Sequence, residues 1–135
     1  MTASRNEPVW VPRIVVIGAQ FDQIQQHGEQ QGVHEDPALL DAALARTKAR
    51  WHYEPESDLA DLAASYAYPI TRIHHPFNDG NERAGFITAA IFLELNGVSF
   101  APTEAEVVDA MVAAASGDID ESRLAAWFRR HMSGR

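Results

Sequence analysis

The run HPFNDGNER, from His75 to Arg83, puts a base, a metal-binding carboxylate, a glycine turn and a guanidinium within nine residues. Together these groups can handle phosphate. Because an imidazole ordinarily titrates near neutrality, His75 is the candidate general base, able to accept the proton of an attacking hydroxyl as it meets phosphorus. Asp79 offers a hard oxygen ligand, and magnesium commonly uses one or two carboxylates plus substrate phosphates, so one aspartate suffices. Asn81 is a neutral donor and Arg83 a planar, permanently charged fork, both suited to phosphate oxygens. With Asn78, Gly80 and Glu82 they form the candidate nucleotide-binding set. An ordinary turn would account for Asn78, Asp79 and Gly80, but not for the histidine, asparagine and arginine at fixed offsets.

The flanking backbone has to present these groups together. Pro76 biases His75 away from helical angles, which predicts that the preceding helix ends there. Gly80 permits a turn with N–H groups pointing inward. An apolar helix starting at once afterwards aims its free N–H groups and positive dipole end at the point Arg83 serves. An arginine opening a helix is unfavourable beside that dipole unless it faces an anion. Phe77 is expected to plug into the core and hold the loop. His27, His34, His52 and His131 show no paired metal spacing.

The rest of the chain reads as helical patterns separated by short turns: an all-α, compact single domain over residues 1–135, a bundle of about six helices. The first pattern, Pro12 to His27, carries Ile14, Ile17, Phe21 and Ile24 at helical spacing, with Gly18 weakening it. Gly28 and Gly32 bracket a loop. Asp36 and Pro37 predict the start of a second helix, whose buried face is Leu40, Ala43, Leu44 and Thr47. In the third, Leu59, Leu62, Ala63, Tyr66, Ala67, Ile70 and Ile73 keep one stripe that leads to His75. Pro69 interrupts that stripe and would kink a helix at a cost of roughly 3 kcal/mol. The fourth, Ala84 to Leu95, has only Thr88 and Glu94 as polar residues, which predicts a central, buried helix stopped by Asn96 and Gly97. Thr103 and Glu106 form a capping box for a fifth with Val107, Val108, Met111, Val112 and Ala115 inward, ended by Ser116 and Gly117. Asp120 caps a sixth, with Ile119 and Leu124 as a hydrophobic staple, Trp127, Phe128 and His131 on the same face as Leu124, and Arg129 and Arg130 near its end.

Composition narrows the functional classes. Apolar residues make up 46% and charged residues 22% of 135, ordinary for a soluble globular domain. No cysteine is present, which removes disulfides and thiolate zinc sites. Eleven basic residues against nineteen acidic ones give a net charge of −8, which argues against nucleic acid as a partner. The early apolar run Ile14 to Ala19 is too short to span a bilayer and lacks a signal-peptide layout, so no membrane partner and a cytoplasmic location are expected.

These residues resemble the Fic/Doc family, whose Doc branch carries a loop similar to HPFxDGNKR followed by an apolar helix and a Leu-Asn-Gly stop. Here HPFNDGNER is followed by AGFITAAIFLELNG, and the upstream GVHEDPALLDAALAR is similar to the family's early helical region. The resemblance runs from about Gly32 onward. It implies a Fic/Doc-like bundle and a Doc-like, death-on-curing type of toxin that uses ATP and Mg2+ to transfer the terminal phosphoryl group to a hydroxyl of a target protein. By the same resemblance the target is a translation factor such as elongation factor Tu, and the effect growth arrest. Nucleotidyl (AMP) transfer is the nearest alternative. Fic-type enzymes carry a target-aligning flap between the second and third helices, which implies target docking by Trp51, His52 and Tyr53.

Glu82 is the main departure, because the Doc-type loop has lysine there and the adenylylating Fic loop glycine. By resemblance, glycine leaves room for a second phosphate pocket and AMP transfer, whereas lysine fills it and goes with transfer of the terminal phosphoryl group. Glutamate fills the space, but its charge opposes phosphate by roughly 4 kcal/mol at a separation of about 4 Å and an effective dielectric of about 20. A carboxylate in a first helical turn is nonetheless favoured by the dipole, by ~0.3–1 kcal/mol. A third reading is therefore a catalytically weakened anion-binding interaction module. Self-inhibited Fic proteins resemble one another in an internal helix whose glutamate is followed by Gly or Asn. None of the ten glutamates here has that neighbour, which implies restraint in trans by an antitoxin whose C-terminal segment folds as it binds.

Overall fold

The computed structural model describes residues 6–18, 37–74 and 81–133. Residues 13–18 are helical (α1), followed by α2 (Pro37–Tyr53), α3 (Leu59–Tyr68), a π-helical segment (Pro69–His74), α4 (Asn81–Leu95), β1 (Ser99–Phe100), α5 (Glu104–Ser116), α6 (Glu121–His131) and β2 (Met132–Ser133). The two short strands pair antiparallel, Ser99 opposite Ser133, and fasten the end of α6 beside the turn that leaves α4. The fold is all-α.

Local start and stop signals act where the sequence places them. Pro37 is the first residue of α2, a position where its missing N–H costs nothing. The Thr103–Glu106 capping box opens α5, and the Asp120 carboxylate accepts from the Arg123 amide to open α6. Gly97 and Gly117, at φ 79° and 85°, turn the chain out of α4 and α5. A second capping box, between Asp58 and Asp61, opens α3. Phe21, Ile24, Gly28, Gly32 and Asp36 lie outside the described residues.

The central helix is α3 rather than α4. Ala60, Leu62, Ala63, Ala64, Ser65, Tyr66 and Ala67 are all buried, and α3 packs against α2, α4 and α6. Its four alanines let neighbours close in from every side, whereas the larger Phe86, Ile87 and Ile91 of α4 stay half-buried. Two predicted faces are also turned. In α5 the buried residues are Ala110, Met111 and Ala114, while Val108 and Val112 are 53% and 50% exposed. In α1 Val16 is buried and Ile14 is 72% exposed. In α5 two alanines and the unbranched Met111 take the interface while the β-branched valines are left outside, and in α1 the shorter Val16 is buried in place of Ile14.

Pro69 ends α3 without kinking it. Having no N–H to return to the Ser65 carbonyl, it stands at the point where the chain changes from α- to π-helical, through Pro69–His74. Local π-turns of this kind recur beside functional sites. Here the π segment delivers the chain to His75.

Candidate active site

Of the predicted loop residues, His75, Phe77, Asn78, Asp79 and Gly80 lie outside the described residues. Asn81, Glu82 and Arg83 are the first three residues of α4, and Arg83 is exposed. The backbone therefore puts Glu82 in the first turn, where its charge suits the helix dipole, and Arg83 where an anion would offset the dipole's opposition. Among the described residues no cluster of histidine, aspartate and glutamate could hold a metal ion.

What the structure shows in detail is how the two sides of the loop are held. On one side, the Arg72 guanidinium donates from Nη1 to the Ala115 carbonyl at 3.0 Å and lies against Gly117, where an added Cβ would sit 2.9 Å from Nη2. A cation at the carboxyl end of α5 is favoured by that helix's dipole. On the other side, Gly85 presses α4 onto the π segment and α3. A Cβ there would overlap Thr71 Oγ1 and sit 2.9 Å from the Ala67 carbonyl oxygen. Only a glycine allows this approach. Thr71 is buried and its hydroxyl has no hydrogen-bond partner among the described residues, an arrangement that costs about 1–3 kcal/mol for an unsatisfied group. Thr88, one turn further along α4, satisfies its hydroxyl on the Ala84 carbonyl at 2.6 Å. Neither contact around Gly85 is legible in the sequence, where a glycine in an apolar helix reads only as a weak point.

Trp51, His52 and Tyr53 form the last turn of α2 rather than a connection between helices. Trp51 is half-buried and meets Trp10 edge-on at 6.1 Å, and Trp10 stacks on Phe92 at 6.1 Å. That aromatic chain ties Trp51 to the second half of α4, away from its first turn. His52 is exposed, and Tyr53 is 84% exposed. The sequence reading missed Trp10 altogether. It also read Asn96 only as a stop, although its amide accepts from Val9 N at 2.9 Å and donates to Val9 O at 3.0 Å and Phe92 O at 2.8 Å. Asn96 thus fastens the N-terminal segment to the end of α4.

Charged side chains lock the helices that carry these parts. Arg50 of α2 pairs with Glu121 of α6 at 2.8 Å and with Asp61 of α3 at 3.7 Å, and Ser65 donates to Glu121 at 3.1 Å. Arg129 forks onto Asp58 at 3.0 Å through both Nε and Nη2 and reaches Asp61 at 3.2 Å. Burial would raise the Asp58 carboxyl, but the Arg129 hydrogen bonds, the Asp61 amide and the Arg129 charge outweigh it and hold it below its ordinary value of 3.8. Tyr66 is pushed up to about 12 by burial, against the opposing effect of the Val11 amide that donates to its hydroxyl at 3.0 Å. It stays neutral at any working pH and serves as an anchor for the N-terminal segment.

Residues 12–93, which include the whole loop and its supports on α3 and α4, match the Fic/DOC family. Over 107 residues the chain is 36% identical to a protein named protein kinase doc, from Escherichia phage P1, covering 79% of this chain and 82% of that protein.

Proposed function

The chain belongs to the Fic/DOC family, and from that premise we propose that it is a Doc-like toxin that transfers the terminal phosphoryl group of ATP to a hydroxyl of a target protein. The observation that carries this is the 36% identity, over most of both chains, to a relative named as a protein kinase. His75 accepts the proton of the target hydroxyl as its oxygen bonds to the γ-phosphorus and the bond to the β–γ bridging oxygen breaks, releasing ADP. Arg83 and Asn81 hold phosphate oxygens, with Asn78, Gly80 and the free N–H groups of α4 completing the cradle. Asp79 is the residue that would hold Mg2+. One carboxylate with phosphate oxygens is a donor set that suits this ion, which when bound neutralises charge on the phosphates. Elongation factor Tu is the proposed target, growth arrest the effect, an antitoxin in trans the partner and the cytoplasm the place of action. No described helix is long and apolar enough to cross a membrane. Trp51, His52 and Tyr53 are retained as a docking proposal, with the exposed Tyr53 its best-placed member.

Glu82 supports a second reading, a weakened anion-binding module, since neither the lysine nor the glycine of the family stands there. Its position in the first turn of α4 favours the first reading, because the dipole accommodates the charge without a phosphate having to meet it. Incubation with target and ATP labelled separately at the α and γ phosphates decides. Transfer of γ label alone is expected. Transfer of α label means nucleotidylation, and no transfer of either leaves the binding module.

A further inference from the structure

The loop is supported from both sides, and one support is unusual in chemistry. Gly85 has no side chain, and what faces it is a pair of oxygens, Thr71 Oγ1 and the Ala67 carbonyl, the first a buried hydroxyl without a partner among the described residues. Ala67 belongs to the central helix and is fully buried, and the atom it offers is backbone rather than a movable side chain. Any side chain at position 85 would therefore force α4 away from the π segment and α3. Arg83 stands two residues before Gly85, in the first turn of α4, which Gly85 directly follows. The geometry points to Gly85 and Thr71 as positioning residues, which set how far the first turn of α4, and Arg83 with it, stands from the π segment that leads to His75.

The inference rests on the phosphoryl-transfer reading for its functional consequence, but its structural part does not. A shift of about 1 Å in a positioned group can lower a rate by on the order of 100-fold. Gly85→Ala should thus lower kcat by about 10- to 100-fold while KM for ATP changes much less. Removing the nearer obstacle should give part of this back, so Thr71→Ala placed on Gly85→Ala should raise kcat several-fold. Phe128→Leu, a core change in α6 away from the loop, serves as the control for simple loss of stability.

The experiment combines steady-state transfer with amide hydrogen exchange on the full chain. Faster exchange across residues 84–89 in Gly85→Ala, with α6 unchanged, is expected together with the fall in kcat. Should Gly85→Ala fail to fold, Thr71→Val, which keeps the shape but puts a methyl against Gly85, is measured in its place and should show the same signature more weakly. Unchanged exchange in 84–89, or a fall in kcat equalled by Phe128→Leu at matched stability, overturns the inference. If wild-type chain transfers no label, the phosphoryl-transfer reading fails. Hydrogen exchange then still decides whether residue 85 sets the standoff of α4.

Discussion

At position 82 a carboxylate stands in the first turn of α4, where the dipole favours it by ~0.3–1 kcal/mol, while a phosphate held close by would oppose it more strongly. Replacing it by lysine reverses both effects. Glu82→Lys should therefore raise affinity for Mg·ATP and the rate of transfer while lowering stability by about 1 kcal/mol, read by titration calorimetry beside a denaturant melt. A loss of affinity would mean that Glu82 itself serves as a ligand. His75→Ala should abolish transfer yet keep nucleotide binding and the melting midpoint, since the base acts only on the attacking hydroxyl. Undiminished transfer by the folded variant would remove His75 from the mechanism. Residue types alone made these side chains legible, because imidazole, carboxylate and guanidinium carry their chemistry with them. The roles of Gly85 and Asn96 were hidden for the opposite reason: each depends on a partner, Thr71 or Val9, that only tertiary structure brings near.

Helix ends proved easier to read than helix faces. Pro37, the Thr103–Glu106 box, Asp120 and Gly117 act within one turn of chain, so their effect survives any packing. Faces are decided by neighbours. In α5 nine of the thirteen residues are apolar, and the burial of Ala110, Met111 and Ala114 rather than Val108 and Val112 is set by the neighbours that the core brings against the helix. The same holds for α3, whose alanines look weaker than the bulky residues of α4 yet take the centre. At the start of α3, Asp58 both caps the helix and receives Arg129, which gives a pH dependence. Its carboxyl lies below the ordinary 3.8 in the folded chain, so its contribution is fully present above that value and is lost as pH falls through the lower, folded one. Asp58→Asn keeps an N-capping side chain but removes the titration. Urea melts from pH 5 down to pH 2.5 should show a shallower acid loss in the variant than in the wild type; equal slopes would mean that the Arg129 pairing contributes nothing to acid stability.

Across the whole molecule, nineteen acidic against eleven basic residues create a field that works against the proposed substrate. ATP is an anion, so on the proposed function its capture would fall to local groups, the Arg83 guanidinium, the N–H groups of α4 and an ion that Asp79 would hold, acting within a few ångströms where bulk repulsion is a small correction. A basic partner gains from the same field. An antitoxin segment that folds on this surface and approaches Arg83 would be steered by opposite charge, which raises association rate more than affinity. Salt should then separate the two ligands. Between about 50 and 500 mM NaCl the screening length falls from roughly 14 to 4 Å, so association of the antitoxin product of the neighbouring reading frame should slow by about tenfold or more. The ATP on-rate should hold steady or rise as long-range repulsion is screened. Stopped-flow measurement of both, after co-expression has shown that the neighbour relieves toxicity and co-purifies with this chain, gives the comparison. An antitoxin association rate indifferent to salt would place its binding energy on apolar surface such as Val108 and Val112 of α5, and would detach the −8 charge from partner choice.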